Sequence, residues 1–145
     1  MKALIQRVKR ASVHIDKHLY SSINQGLLIF LGVEKADEKL NAEKLAEKIL
    51  KLRIFEDENE KMNYSISDIK GEILIVSQFT LCGNCKKGTR PSFDNSAPID
   101  KALELYNYFV ECMKKSSLKV ETGKFQAMMD VELINDGPVT FNLEM

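Results

Sequence analysis

Cysteine and histidine are scarce in this 145-residue sequence, which has three of the first and two of the second. The odd number of cysteines argues against a disulfide framework and favours a reducing compartment. No apolar run reaches the roughly 18 residues that a transmembrane helix requires, and residues 1–7 lack the apolar core of a signal peptide. We therefore expect a cytoplasmic protein that has no membrane partner.

The chain also lacks net charge, because 21 Lys and Arg residues balance 21 Asp and Glu residues. A neutral chain has no overall field that attracts nucleic acid, so any contact with RNA has to come from a local basic cluster. The hydrophobic fraction of 44% and the charged fraction of 29% are typical of a globular protein. At this length we expect a single domain over residues 1–145.

β-Strands are predicted where apolar residues form short runs or alternate with polar residues. These segments are 2–15, 27–31, 53–55, 73–76, 129–133 and 139–143. The first predicts a hairpin that turns near Asp16 and His18, and residues 135–138 predict a turn that joins the last two segments. The continuous runs 27–31 and 73–76 are typical of strands that are buried on both faces.

Two further segments carry apolar residues at the spacing of an amphipathic helix. The first ends near residue 51, and Asp37 can cap its N-terminus. The second extends from about residue 99 to residue 115. Its predicted inner face consists of Ala102, Leu103, Tyr106, Phe109, Val110 and Met113. Together these patterns predict an α+β fold with two helices and about seven or eight strands, largely antiparallel.

Polar and aromatic side chains close the predicted strand 73–76. They are Ser77, Gln78, Phe79 and Thr80. A buried strand would present these groups from a rigid base, as a binding site requires, but they could equally do no more than satisfy the backbone at a strand end. Thr80 is inert as a nucleophile without a base. The two histidines, His14 and His18, fall in a polar hairpin that we expect to be exposed to solvent.

Cys82 and Cys85 have the C-x-x-C spacing of some metal and redox sites. A structural zinc site needs four ligands, and only Cys112 and distant histidines remain to complete it. A redox pair of this kind normally precedes a helix, whereas here a loop rich in Gly and Lys follows. We therefore expect neither a metal nor a cofactor.

Two loop segments could carry function. Residues 82–98 show no periodicity, which predicts a long surface loop of the kind that is usually functional or mobile. This loop contains a basic cluster of Lys86, Lys87 and Arg90. In the predicted turn 135–138, a Gly-Pro bond can be cis at small cost, and a cis bond would point two carbonyl oxygens in the same direction. An ordinary turn is the alternative.

Four motifs, in this order along the chain, resemble the D-aminoacyl-tRNA deacylase family. They are Ala3-Leu4-Ile5-Gln6-Arg7-Val8, Ser77-Gln78-Phe79-Thr80-Leu81, Arg90-Pro91-Ser92-Phe93 and Asn135-Asp136-Gly137-Pro138-Val139-Thr140-Phe141. The resemblance covers the whole chain, and the two cysteines after Leu81 are its one notable departure. It implies a mostly antiparallel, barrel-like sheet with the two helices packed outside, assembled as a homodimer.

The resemblance also implies an activity, which is hydrolysis of the ester between a D-amino acid, or glycine, and the 3′-terminal adenosine of tRNA. The active sites would lie at the subunit interface, where one subunit supplies a pocket and the other supplies the Gly-Pro pair. The implied catalytic residues are Gln78, Phe79 and Thr80. The implied substrate-binding residues are Ser77, Gly137, Pro138, Val139, Thr140 and Arg7, the last of which matches an arginine that braces the Gly-Pro segment.

The partner that follows from this resemblance is the 3′ acceptor end of an aminoacyl-tRNA. Lys86, Lys87 and Arg90 could contact its phosphates without regard to base sequence. Two alternatives stay open at this point. One is a related editing deacylase with a different amino-acid preference, and the other is an RNA-binding module without catalysis.

Overall fold

A computed structural model describes all 145 residues, which form one six-stranded sheet, a separate two-stranded sheet and two α-helices. The elements in chain order are β1 (Lys2–Ile15), β2 (His18–Ile23), β3 (Gly26–Gly32), α1 (Lys39–Lys51), β4 (Phe55–Glu56), β5 (Met62–Tyr64), β6 (Glu72–Ser77), α2 (Ile99–Lys114), β7 (Val120–Thr122) and β8 (Asp130–Glu144). The α+β class, the number of strands and both helices agree with the sequence prediction. Neither helix is long and apolar enough to cross a membrane.

Strand β1 is the centre of the main sheet, because three other strands pair with it. Its first half pairs with β3 and its second half with β2, while β8 pairs with both halves along the opposite edge. The Ser21 hydroxyl on β2 donates to the carbonyl oxygen of Thr122 on β7 at 2.8 Å. Since β2 and β7 end the strand order β2-β1-β3-β6-β7, this contact brings the sheet close to a closed barrel.

The sheet is mixed, which corrects the expectation of a mostly antiparallel one. β3 runs parallel to β6, and β6 runs parallel to β7. Parallel neighbours require long return connections, and α1 and α2 lie in the two connections. The apolar runs of β3 and β6 did indicate burial on both faces, but they carry no information about strand direction.

Residues 130–144 form one continuous strand, so the predicted hairpin with a turn at 135–138 is wrong. β8 stays antiparallel to β1 throughout, and its register shifts on either side of Val8. The segment Asn135–Pro138 is thus an irregularity within a strand. Proline is tolerated at such a position because the ladder needs no N–H donor there.

The residue at the start of α1 also differs from the prediction. Glu38 is the N-cap, and a reciprocal pair of contacts with Asn41 closes the first turn. Asp37 is buried and accepts a hydrogen bond from the Glu34 N–H at 2.6 Å. Its carboxylate also pairs with the amino group of Met1. Asp37 therefore anchors the start of β1 to the loop before the helix.

Smaller differences concern one helix face and one strand. On α2 the apolar stripe includes Leu105, which is 3% exposed, and leaves Leu103 37% exposed. Leu103 lies at the margin of the helical stripe, where the choice between two neighbouring leucines depends on the partner surface. The strand predicted at 53–55 is β4, at Phe55–Glu56, which pairs with β5.

Two hydrophobic clusters cover the two faces of the β3–β6 pair. Leu27, Ile29 and Ile73 point towards the helices, whereas Leu28 and Leu74 point into the curled sheet. Alternate residues of the same strands supply both clusters, which explains why the apolar runs are continuous. The C-terminal end of β6 therefore emerges from a base that is packed on both sides.

Gly26 lies where β3 begins beside β6. It pairs with Glu72, and a Cβ atom at position 26 would lie 1.8 Å from the Glu72 carbonyl oxygen. Only the absence of a side chain permits this approach of the two backbones.

We expect Gly26→Ala to lower the free energy of unfolding by about 3 kcal/mol, because the strands must separate to admit a methyl group. Gly88→Ala is the matched control, since Gly88 has no atom within 4 Å and a φ of +69°. Its cost should be about 1 kcal/mol, from the left-handed backbone alone. Urea unfolding measures both variants, and equal losses would contradict a close contact between β3 and β6.

Candidate active site

The chain leaves β6 at Ser77 and enters a single 3₁₀ turn that begins at Phe79. Phe79 and Thr80 therefore lie on this turn, not on a strand end as the sequence suggested. The backbone N–H of Gln78 donates to the carbonyl oxygen of Leu31 at 2.8 Å, which ties the turn to the end of β3. The N–H groups of Phe79 and Thr80 open the turn, so neither has an acceptor within it.

The side chains at the start of this turn are accessible to solvent. Phe79 is 60% exposed, Thr80 is exposed, and Ser77 and Gln78 are partly buried. The amide of Gln78 donates to the hydroxyl of Thr80. An amide is not a base, so this contact orients the Thr80 hydroxyl without activating it.

A groove of about 480 Å³ adjoins Thr80. Its walls come from the start of β1, the turn after β6 and the end of β8. The lining residues are Lys2, Ala3, Thr80, Leu81, Asn142, Leu143 and Glu144. The groove is within the size range of small-molecule sites. His14 and His18 lie at the opposite end of β1 from this groove; His18 is exposed and His14 partly so.

Gly137 and Pro138 do not line this groove in the same chain. They form an exposed pair within β8, and the peptide bond between them is cis. Asn135 spans the pair, because its Oδ1 accepts from the Val139 N–H at 2.7 Å and its Nδ2 donates to the Thr140 hydroxyl at 3.1 Å. The Val139 side chain is buried. The segment is thus fixed on both sides of two exposed residues.

Arg7 holds the same segment from the protein interior, where its side chain is 4% exposed. Its Nε donates to the carbonyl oxygen of Asp136 at 2.9 Å, and its Nη1 donates to that of Ile54 at 2.7 Å. Its Nη2 pairs with the Glu56 carboxylate at 3.2 Å. The guanidinium therefore joins β1, the β4 region and the residue that precedes Gly137. The contributions of Ile54 and Glu56 were missed, because no sequence pattern marks a distant backbone carbonyl or carboxylate as the partner of a particular arginine.

The two ends of the basic loop, defined as residues 85–91, lie next to each other. Asn84 and Ser92 exchange two backbone hydrogen bonds, at 2.7 and 3.0 Å. Lys86, Lys87 and Arg90 lie in the excursion between them and are exposed. The loop is thus a projection whose base is closed and whose cations face solvent.

The two cysteines of the C-x-x-C spacing lie in different surroundings. Cys82 is buried with its Sγ 3.5 Å from the Val33 carbonyl oxygen, while Cys85 is exposed. Burial raises the pKa of the Cys82 thiol, whereas redox-active cysteines have a lowered pKa. No three His, Cys, Asp or Glu side chains converge as a metal site would require.

Comparison with known proteins identifies the family. A family model described as D-Tyr-tRNA(Tyr) deacylase matches residues 4–144. A D-aminoacyl-tRNA deacylase of Geotalea daltonii is 59% identical over 99% of this chain and 96% of its own length. One of Thermosipho africanus is 57% identical over 99% of this chain and 97% of its own length.

Two solved structures share the fold of this chain. The structure named c-Myc DNA Unwinding Element Binding Protein is 43% identical, with a TM-score of 0.94 over 100% of this chain and 99% of that chain. A probable eukaryotic D-amino acid tRNA deacylase is 15% identical with a TM-score of 0.83 over 98% of both chains, and it shares the fold. With a family model that matches nearly every residue and relatives above half identity, this chain belongs to the D-aminoacyl-tRNA deacylase family.

Proposed function

We propose that this protein hydrolyses the ester bond between a D-amino acid, or glycine, and the 3′-terminal adenosine of tRNA. The observation that carries the proposal is the family match over residues 4–144. The site supports it, because the turn after β6 is exposed, is fixed to β3 and borders a groove. The products are a free amino acid and an uncharged tRNA, and the reaction takes place in the cytosol, where tRNA is charged.

The chemistry requires little from the side chains. The ester is already activated, and water adds to its carbonyl carbon while the ribose 3′-oxygen leaves with a proton. Developing charge on the carbonyl oxygen needs a donor, for which the Phe79 and Thr80 N–H groups are our candidates. Gln78 and Thr80 place the substrate, and the neighbouring 2′-OH of the ribose assists the proton transfer.

Selection for the D-configuration depends on a second subunit in our proposal. The partner subunit's Gly137 and Pro138 enter each pocket, where their carbonyl oxygens accept from the substrate ammonium. An L side chain would be driven against these carbonyl groups, so it is rejected by a clash. Glycine has no side chain to reject and is hydrolysed as well. The pair's exposure, and its absence from the groove of its own chain, support an origin in the partner.

Two residues and the basic loop hold or extend this arrangement. Arg7 braces the pair through Asp136, and Asn135 fixes Val139 and Thr140 beyond it. The cations of the basic loop contact phosphates of the acceptor stem, which gives affinity without base preference.

A second candidate is binding of nucleic acid without hydrolysis. One solved relative, which is 43% identical, carries the name of a DNA-binding protein. The exposed cations of the basic loop are compatible with this role. The candidate therefore has to be separated from hydrolysis by a direct assay.

The proposal predicts that D-tyrosyl-tRNA is hydrolysed at least about a hundredfold faster than L-tyrosyl-tRNA, since a clash of about 2.7 kcal/mol suffices for that ratio. Release of tyrosine is measured with each substrate, beside a control without enzyme. Binding of both substrates with no release would support the second candidate. Equal release of both would indicate an editing deacylase of different specificity.

Subunit exchange tests whether each site contains residues of both chains. We expect Gln78→Ala/Phe79→Ala and Pro138→Glu to be inactive alone, because the first removes two side chains of the pocket and the second brings a charged side chain into it from the partner. Random mixing should restore about a quarter of wild-type activity, because half of the dimers are mixed and each has one intact site. Activity that stays at the sum of the two variants, or an active monomer in sedimentation, would contradict this.

Thr80 is expected to position the substrate and not to attack it. Thr80→Ala should retain at least about a tenth of wild-type activity, a loss of at most roughly 1.4 kcal/mol in the barrier, because the backbone N–H remains. A tRNA that ends in 2′-deoxyadenosine, charged at its 3′-OH, should be hydrolysed very poorly by the wild type. An acyl-enzyme trapped at Thr80, an inactive Thr80→Ala or normal cleavage of the deoxy substrate would disprove this.

A further inference from the structure

Two aromatic rings lie side by side on the surface next to the turn that carries Thr80. Phe79 is 60% exposed and Phe93 is 37% exposed. Their ring centroids are 5.0 Å apart and their planes are inclined at 55°. Phenylalanine is usually buried, so an exposed pair in contact is more informative than either ring alone. We call this pair the aromatic platform.

The backbone fixes the aromatic platform relative to Thr80. A Cβ atom on Gly83 would lie 2.9 Å from the Phe93 ring and 2.9 Å from the Thr80 carbonyl oxygen. Phe93 therefore packs directly over the backbone at Gly83, which itself touches the turn. The N–H of Gly83 also donates to the Thr80 carbonyl oxygen at 3.0 Å. A group stacked on the platform would thus sit at a defined place beside the turn.

Both ends of the basic loop lie beside this platform. Asn84 and Ser92, which close its base, are the chain neighbours of Gly83 and Phe93. The loop contains no acidic residue, and none of its three cations takes part in a salt bridge. Asp94 is the nearest acid in sequence, and its carboxylate accepts from the Ser92 hydroxyl. Positive charge that is free to pair with a ligand therefore adjoins an exposed aromatic surface.

We propose that Phe79 and Phe93 form a stacking site for an unpaired base of single-stranded RNA, with the basic loop on the phosphates beside that base. Aromatic rings combined with a cationic track are the features by which proteins bind single strands, and stacking accepts any base. The identity of the RNA rests on the proposed function. In that function the ester reacts at the turn, and the strand beside the ester is the single-stranded 3′ end of tRNA. The platform then holds a base of that end while the ester reaches the turn.

The test uses uncharged RNA trinucleotides of sequence CCA, in which 2-aminopurine replaces each base in turn. Without an ester the trinucleotide cannot be hydrolysed, so binding is measured apart from activity. For wild type we expect quenching of the fluorescence at one position, as stacking on a ring produces. Phe93→Leu should abolish this quenching and weaken binding at least about fivefold, whereas Phe93→Tyr should preserve both.

Tyr20→Leu is the matched control, because Tyr20 is a 50% exposed aromatic residue that lies on β2 and does not belong to the aromatic platform. It should bind the trinucleotides as wild type does. A second variant changes only exposed loop residues and combines Lys86→Gln, Lys87→Gln and Arg90→Gln. It should bind more weakly and with a shallower dependence on salt, so the proposal stays testable if Phe93→Leu does not fold.

The outcomes separate this inference from the proposed function. Quenching that depends on Phe93, in a protein that releases no amino acid from tRNA, would disprove the proposed function and leave the platform supported. Active enzyme whose trinucleotide binding is unchanged in both Phe93→Leu and the triple variant would overturn the platform. A Phe93→Leu protein that becomes monomeric while it keeps the quenching would show that the rings contact a second copy, and would overturn it too.

Discussion

The removal of β6 from water on both faces is the constraint on which the rest of this structure depends. Ile73, Leu74, Ile75 and Val76 are each at most 2% exposed, and full burial of one such side chain contributes about 1.5–3 kcal/mol. A strand with two apolar faces needs a layer on each side. The helices provide one layer and the curled half of the sheet provides the other, so the end of β6 has little freedom to move. The turn that follows is therefore held by packing that lies outside the site.

The second requirement is the neutralisation of a charge in the interior. Arg7 is almost wholly buried, and its guanidinium is satisfied by two backbone carbonyl oxygens and two carboxylates, those of Glu56 and Asp136. A buried cation without such partners would be strongly unfavourable. The β4 region and the segment before Gly137 are each needed to satisfy it, so they are fixed relative to one another although they are far apart in sequence.

Local patterns predicted the parts of this fold that are local in origin. The runs 27–31 and 73–76 became β3 and β6, and both helices end within a residue of their predicted limits. Strand direction was not predictable, because an apolar run has the same composition whichever way its neighbour runs. Asn135–Pro138 was assigned to a turn since Gly and Pro are typical of turns, and the pairing with β1 that makes it part of a strand is a long-range contact. In the candidate site, the sequence singled out Ser77–Thr80 but not the 3₁₀ turn on which Phe79 and Thr80 lie, and Arg7 gave no sign in the sequence that carbonyl oxygens would surround it.

The irregularity in β8 has a consequence for the length of the chain at that point. Between their pairs Arg10–Ile134 and Gln6–Thr140, β1 contributes three residues and β8 contributes five. The excess is an even number, so side chains of β8 before and after it point to the same side of the sheet as the β1 residues with which they pair. Gain or loss of a single residue there would move Leu143, which packs against the core, to the side of the sheet that Asn142 and Glu144 now occupy. Insertions or deletions in this segment therefore preserve the pairing only when they change its length by two residues, whatever side chains the segment carries.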